Sequence, residues 1–349
     1  MLRSYTYLIS AGLAALFAFF LWNMNVQPPM DKVLVAGVIK AIAMEPHRSI
    51  GAVLTWKREL CVFRINGTDV TVAFTHKLLH PSYFQPVAFH ISEPLLAVCL
   101  FEVLPVEDPN IIVLSSNDGS VVAQAHGHEG MVAAVKFSSD GQELITSGTN
   151  GKVELEEQGE LRFWDPQTLK ESRTALPLRA MAECISVTSV AHVFAVGDCL
   201  GSVHVWDEQS LRPITSWKEQ QSSGVSAGIK SLQFNRDGTN VLCAGGHGIS
   251  LRDARSGAIL ASHRSASMCF SGAFLDSGEQ LVAFTDETGL FVWNLAIGES
   301  TRVRRFPPDT NGLLEVNSRS GYVYLAVGKR IETIPVQSLT KQSSVQRLP

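Results

Sequence analysis

Residues 127–165 read GHEGMVAAVKFSSDGQELITSGTNGKVELEEQGELRFWD, and this stretch decides the fold. It opens with Gly127-His128 and closes with Trp164-Asp165. Between them lie an alternating segment, the polar turn Ser139-Asp140-Gly141 and an apolar run that starts at Leu144. An Asp-Gly pair suits a tight turn, because glycine accepts a positive φ without steric cost. The pattern therefore predicts short antiparallel strands joined by turns.

The same pattern recurs along the chain. Later copies end in VHVWD at 203–207, SLRD at 250–253 and LFVWN at 290–294. Seven units of about 45 residues each fit between Lys32 and the end of the chain. They begin near Ile39, Pro86, Met131, Cys184, Ile229, Cys269 and Leu313. The repeat resembles the WD40 family, whose unit is one four-stranded blade of a β-propeller. The resemblance implies an all-β, seven-bladed WD40-like β-propeller over residues 32–349, because blades bury their faces only against neighbouring blades.

The resemblance also implies a hydrogen-bonded set inside each blade. In well-formed WD40 blades a His, a Ser or Thr, an Asp and the Trp form this set and pin the blade. We expect blade-structural roles for His128, Ser147, Asn150, Trp164, Asp165, Trp206, Asp207 and Trp293. Asn150 stands near the expected Asp of the third unit, and Arg252 stands where Trp is usual in the fifth. Because the repeats are degenerate, we expect stability to come mainly from apolar packing between blades.

The N-terminus differs from the rest of the chain. Residues 5–22 are apolar and uncharged, and this run of 18 residues is the short end of a membrane span. Trp22-Asn23-Met24-Asn25 is a poor signal-peptide cleavage site. We therefore predict that residues 1–31 hold an uncleaved signal-anchor helix and a linker, and that the protein is a single-pass membrane protein with a cytosolic propeller. A cleaved signal peptide is one alternative, and a soluble cytoplasmic protein translated from Met24 or Met30 is another.

Composition and motifs exclude several function classes. The net charge of −4 argues against a broad nucleic-acid-binding surface, which would be strongly basic. Residues 224–228 match G-x-S-x-G, but they lead into a strand instead of forming a strand-to-helix turn. His126 and His128 have no third metal ligand nearby in the sequence. We expect no catalysis, no cofactor, no metal and no small-molecule substrate.

Two charged segments are candidate partner-binding sites. The third unit carries an acidic insertion at 151–160, with Glu154, Glu156, Glu157 and Glu160. It could meet a basic partner by electrostatic steering, or it could be a solvated hairpin tip. The sixth unit ends in RVRRF, with Arg302, Arg304 and Arg305. These arginines could bind phosphate, an acidic peptide or lipid headgroups, or they could only protect an edge strand.

The function implied by the resemblance is a non-catalytic scaffold for protein–protein interaction, because WD40 propellers generally present their rims and central face to proteins or peptides. This is an argument by family analogy. The alternatives are a regulatory WD40 subunit, such as a cullin ubiquitin-ligase substrate receptor or a Sec12-like membrane exchange factor, and a lumenal ligand-binding propeller. The receptor alternative rests on a partial motif, Asp253-Ala254-Arg255.

The sequence leaves two ways to close the ring of blades. The last blade takes its fourth strand either from 343–348 or from Val33 to Ala36.

Overall fold

The computed structural model describes residues 32–66, 69–78, 86–100, 108–150, 159–188, 190–219, 228–246, 248–275, 280–308, 310–317 and 321–344. In this part of the chain the strands form seven antiparallel sheets of four strands each. We number the sheets as blades 1 to 7 in chain order, and blade 7 includes the N-terminal strand β1. The predicted all-β, seven-bladed propeller is confirmed.

Blades 1 to 4 each consist of consecutive strands. Blade 1 contains β2 (Ile39–Met44), β3 (Ile50–Thr55), β4 (Glu59–Asn66) and β5 (Asp69–Lys77). Blade 2 contains β6 (Val87–Phe89), β7 (Leu95–Cys99), β8 (Ile111–Ser115) and β9 (Val121–Ala125). Blade 3 contains β10 (Val132–Phe137), β11 (Leu144–Thr149), β12 (Gly159–Trp164) and β13 (Glu171–Leu178). Blade 4 contains β14 (Ala182–Thr188), β15 (Val193–Asp198), β16 (Ser202–Asp207) and β17 (Pro213–Lys218).

Blades 5 and 6 follow the same order, and blade 7 departs from it. Blade 5 contains β18 (Ile229–Phe234), β19 (Asn240–Gly245), β20 (Gly248–Asp253) and β21 (Ile259–His263). Blade 6 contains β22 (Cys269–Phe274), β23 (Leu281–Asp286), β24 (Gly289–Asn294) and β25 (Glu299–Arg305). Blade 7 contains β26 (Gly312–Asn317), β27 (Tyr322–Val327), β28 (Arg330–Pro335) and β1 (Lys32–Leu34). The helix α1 (Val336–Ser344) follows β28.

Burial explains why the strands differ in composition. The second strands β3 and β11 are buried at every residue, because neighbouring blades cover both of their faces. The outer strands β17 and β21 alternate between exposed and half-buried residues. The first strands of consecutive blades contact one another, and β2 contacts β26, so the blades close into a ring around a central axis.

The core lies between the blades. Between blades 3 and 4, Phe163 meets Phe194 edge-on with ring centroids 6.3 Å apart, and Phe194 stacks on Trp206 at 5.3 Å. Leu54 of blade 1 and Leu96 of blade 2 are both fully buried and belong to another cluster. Each cluster joins two sheets, so the apolar side chains of one blade are buried only in the presence of the next.

The N-terminal strand closes the ring. β1 pairs antiparallel with β28, with Val33 opposite Ile331, and the Val35 N–H donates to the Lys329 carbonyl at 3.0 Å. The fourth strand of blade 7 therefore comes from the N-terminal segment and not from 343–348. Residues 336–344 form α1, which packs on β24, β25 and β28. One sheet built from both ends of the chain joins the last blade to the first and covers an edge that would otherwise be open to pairing.

The predicted membrane segment has to be corrected. Residues 5–22 lie outside the described residues, as does the rest of the predicted anchor and linker at 1–31. Among the residues that the structure does describe, no helix has the length and apolar character needed to cross a membrane. The predictions of a hydrophobic N-terminal helix and of a single-pass membrane protein are corrected on this finding, since the structure supports neither.

Candidate interaction site

A central cavity of about 560 Å³ lies on the axis of the ring. The first strands of all seven blades line it, from Met44 on β2 around to Glu315 on β26. It opens at the face where these strands end, beside His47 and Ser139. A second cavity of about 60 Å³ lies toward the opposite face, and Lys136 and Glu315 border both cavities. These two charged side chains therefore lie near the middle of the channel.

Lys136 and Glu315 do not neutralise each other by direct contact. Burial raises the pKa of the Glu315 carboxyl, and the charge of Lys136 acts in the opposite direction on the same pKa. Among the described residues neither side chain forms an ion pair within 4 Å. The cavity therefore holds an ammonium group that is free to meet a ligand and a carboxyl group whose charge burial disfavours.

Hydrogen bonds between blades orient the polar side chains of the cavity wall. The Phe234 N–H donates to Ser186 Oγ at 3.3 Å, and the Phe274 N–H donates to Gln233 Oε1 at 2.9 Å. Each bond runs from the first strand of one blade to a neighbouring first strand. One lone pair of each side-chain oxygen is thus occupied, while the Ser186 O–H and the Gln233 amide N–H groups remain available as donors.

A continuous hydrogen-bonded set pins blade 3. The Trp164 indole N–H donates to Thr146 Oγ1 at 2.8 Å, and the Thr146 O–H donates to His128 Nε2, also at 2.8 Å. His128 Nδ1–H donates in turn to Glu160 Oε1 at 2.9 Å. Because a carboxylate oxygen only accepts, the bond to Glu160 places a proton on His128 Nδ1, and a neutral ring then accepts the Thr146 O–H at Nε2. Burial lowers the pKa of His128, while the bond to Glu160 raises it, which agrees with a neutral imidazole.

The set contains the predicted His128 and Trp164, but Ser147 and Asn150 are not part of it. Thr146 takes the Ser or Thr position, while the Ser147 hydroxyl donates across to the Ala182 carbonyl of blade 4. Glu160 takes the acidic position, and Asn150 is exposed. The cause is the alternation of side chains along β11 and β12, which directs Thr146 and Ser147 to opposite faces of the sheet.

Trp206 and Trp293, which stand at the same strand position in blades 4 and 6, lack this set. Trp164 lies opposite Leu144 in the strand register, and Thr146 follows Leu144 by two residues. The residues at the same position in blades 4 and 6 are Val196 and Phe284, whose side chains have no hydroxyl group. Trp206 instead stacks on its neighbours, with His204 at 5.5 Å. Trp293 is 1% exposed, and among the described residues its indole N–H has no hydrogen-bond partner.

The aspartates that follow the tryptophans stabilise turns. Asp165 accepts the Thr168 N–H at 2.8 Å, and Asp207 accepts the Ser210 N–H at 2.7 Å. Hydrogen bonds from the side chains of Thr168 and Ser210 hold the pKa of Asp165 and Asp207 below the ordinary value. These carboxylates fix the connection from the third to the fourth strand.

Blade 5 replaces the tryptophan set with a buried ion pair, which the sequence pattern did not predict. Arg252 occupies the Trp position, and its Nε and Nη2 donate to the two carboxylate oxygens of Glu219 at 2.8 and 2.7 Å. Glu219 comes from the loop that enters the blade, as His128 does in blade 3. Ser250 and Trp217 also donate to Glu219, at 2.9 and 3.1 Å. Arg252 is 7% exposed and Glu219 is 5% exposed, so water screens the pair only weakly.

The candidate partner-binding residues fall into three groups. Glu154, Glu156 and Glu157 lie outside the described residues. Glu160 was expected in the insertion, but it lies in β12, is 7% exposed and binds Arg162 Nε at 2.7 Å in addition to His128. Arg302 and Arg305 are exposed, whereas Arg304 Nη2 donates to Glu332 of blade 7 at 2.9 Å. Glu160 and Arg304 therefore join elements within the propeller.

Comparison with known proteins agrees with this fold. No family model matches the chain. Transducin beta-like protein 3 from Bos taurus is 25% identical to it over 267 residues, which cover 71% of this chain and 30% of the relative. The chain thus corresponds to less than a third of the length of that protein. The seven four-stranded blades, the pinned tryptophan of blade 3 and this relative together support the resemblance to the WD40 repeat family.

Proposed function

We propose that this WD40-type propeller is a non-catalytic scaffold that binds partner proteins, with the central cavity as its main binding site. The observation that carries the proposal is the cavity of about 560 Å³, to which all seven blades contribute and which opens at one face of the ring. A rigid ring holds the lining side chains in place before a partner arrives, so binding loses little conformational entropy. The family resemblance supports the same use of the central face.

The charged surface segments supply further contacts in this proposal. The acidic insertion, with Glu154, Glu156 and Glu157, meets a basic partner surface. The exposed Arg302 and Arg305 on β25 meet an acidic one. Deleting residues 153–158, which keeps Glu160 and its bond to His128, should lose a partner that binds through the insertion. Capture of the same partners by the deletion variant would remove the insertion from the proposal.

Site-specific photo-crosslinking tests the proposal. A photoreactive amino acid replaces the exposed His47 at the mouth of the central cavity, and, as a matched control, the exposed Ile259 on the outer strand β21. We expect captured partner proteins to crosslink from position 47 and not from position 259. Crosslinks from position 259 alone would move the binding surface to the outer edge of blade 5. Equal absence of crosslinks at both positions, in cells where the protein is folded, would overturn the scaffold proposal.

A further inference from the structure

We propose that the central cavity binds a carboxylate, supplied by an acidic side chain of a partner protein that enters from the open face. This inference rests on the proposed function and specifies the chemistry of the partner. It is carried by the set of hydrogen-bond donors that the blades leave unused in the cavity wall, beside the ammonium group of Lys136.

The donors follow from the bonds between blades. A backbone N–H already donates to one lone pair of Ser186 Oγ and to one of Gln233 Oε1, whereas the Ser186 O–H and the Gln233 NH₂ donate to no group among the described residues. Ser271 is different, since its hydroxyl already donates to the Leu314 carbonyl at 3.0 Å. The wall therefore presents an O–H at Ser186, an amide NH₂ at Gln233 and the Lys136 ammonium. A carboxylate has about four lone-pair positions and only accepts, so it complements this wall.

The charges in the channel agree with an anionic ligand. A second cation would be repelled by Lys136, and an apolar side chain would bury the donors without partners, which is unfavourable for each group. Glu315 is the group that opposes an anion, and burial in the channel disfavours its charge. We therefore expect Lys136 to strengthen the binding of an anionic ligand and Glu315 to weaken it.

The shape of the cavity favours a side chain carried on a polypeptide. The cavity spans the inner strands of all seven blades and continues to an open mouth beside His47 and Ser139. A protruding loop or chain end of a partner can contact the mouth while one side chain reaches the level of Lys136. A free anion would contact only the donors and would leave the mouth unused.

The experiment selects peptides from a random display library on the purified full-length protein, and then measures binding of a selected, fluorescently labelled peptide by anisotropy. We expect the selected peptides to share one Asp or Glu. Lys136→Met should bind the peptide about ten- to a hundredfold more weakly, the loss expected for a charge-assisted hydrogen bond. Lys218→Met, on the exposed outer strand β17, is the matched control and should bind like the wild type.

Two further variants test the donor argument and the sign of the charges. Gln233→Glu keeps the oxygen that accepts the Phe274 N–H, but it replaces the NH₂ donor with a second acceptor and should abolish binding. Glu315→Gln removes the opposing charge and should strengthen binding several-fold. A purely structural role for these residues would weaken binding in every variant.

The outcomes separate this inference from the proposed function. Selection of peptides that lack an acidic residue, or equal binding by wild type and Lys136→Met, would overturn the carboxylate site and leave the scaffold proposal standing. Failure to select any peptide on the wild-type protein would count against both. Two measurements distinguish a carboxylate of the peptide from a free anion. In the first, replacing the Asp or Glu of the peptide with Asn or Gln should abolish binding. In the second, inorganic phosphate competes with the peptide. If phosphate binds by itself and displaces the peptide at the same concentration, the site serves a free anion, and the inference of a partner side chain is wrong.

Discussion

Replacing Arg252 by methionine should destabilise the propeller far more than the loss of an ordinary surface arginine. Methionine fills much of the same volume but cannot donate to Glu219. The substitution removes two bonds to the Glu219 carboxylate, at 2.8 and 2.7 Å, and one to the Gly257 carbonyl, at 2.8 Å. The carboxylate then stays in blade 5 at 5% exposure without its cation.

The magnitude follows from the burial of the pair. Removing one partner of a buried ion pair costs about 3–5 kcal/mol, because the remaining charge is desolvated and uncompensated. Ser250 and Trp217 continue to donate to one oxygen of Glu219, which reduces the penalty. We therefore expect a loss of about 3 kcal/mol, a large share of the total stability of a typical domain.

Urea unfolding at neutral pH, followed by tryptophan fluorescence, measures this loss. Arg255→Met is the matched control, because Arg255 is exposed three residues further along the same blade, and its free energy of unfolding should change by no more than about 0.5 kcal/mol. The double variant Glu219→Gln with Arg252→Met should be much more stable than the sum of its two single losses, since it leaves no charge buried.

Two results would refute this account of blade 5. One is a loss below about 1 kcal/mol in Arg252→Met, which would mean that water reaches Glu219 and screens its charge. The other is strict additivity in the double variant, which would mean that the two side chains do not interact. In either case the pair of Glu219 and Arg252 would contribute little to the stability of the blade.

Three further predictions concern the tryptophans, the buried histidine and ring closure. Trp164→Phe should cost about 1 kcal/mol more than Trp293→Phe in urea unfolding, because only Trp164 loses a hydrogen bond; equal costs would contradict the pinned set. Burial depresses the pKa of His128 in the folded protein, so the unfolded state binds a proton first as the pH falls. The contribution of neutral His128 to the free energy of unfolding is therefore complete above a pH of about 6.5 and declines below that value. Nitrogen NMR should accordingly find the neutral Nδ1–H tautomer of His128 at a pH of about 6. An imidazolium at that pH would contradict the depressed pKa. Deleting residues 1–34 should cost about 2–3 kcal/mol relative to deleting 1–31, because β1 is lost and the edge of β28 is opened; equal unfolding midpoints would show that β1 does not secure the ring.

Much of the fold was predictable from the sequence, because a propeller repeats one local pattern. Turns such as Ser139-Asp140-Gly141, with Gly141 at a φ of 77°, separate strands whose composition reflects their burial. The apolar run after Leu144 is buried throughout, as expected for a second strand between two blades. These features depend on neighbours in the sequence, so a single chain without homologues reveals them.

The candidate binding site was less predictable. The sequence pointed to charged surface segments, whereas the cavity wall combines Lys136, Ser186, Gln233 and Glu315 from four different blades. No spacing along the chain marks these residues as a group, because each lies on its own first strand. The buried pair of Glu219 and Arg252 was missed for a related reason, since 33 residues separate the two partners.

The amino-acid sequence alone specified the period of the repeat, the order of strands and turns, and the number of blades, because hydrophobic alternation and turn residues act over a few positions. Only the tertiary structure decided which side chains meet. A shift of one residue moves a side chain to the opposite face of a strand, which is why Thr146 and not Ser147 joins His128 and Trp164. The partners of buried polar groups come from other strands and other blades, and their contacts exist only once the ring has closed.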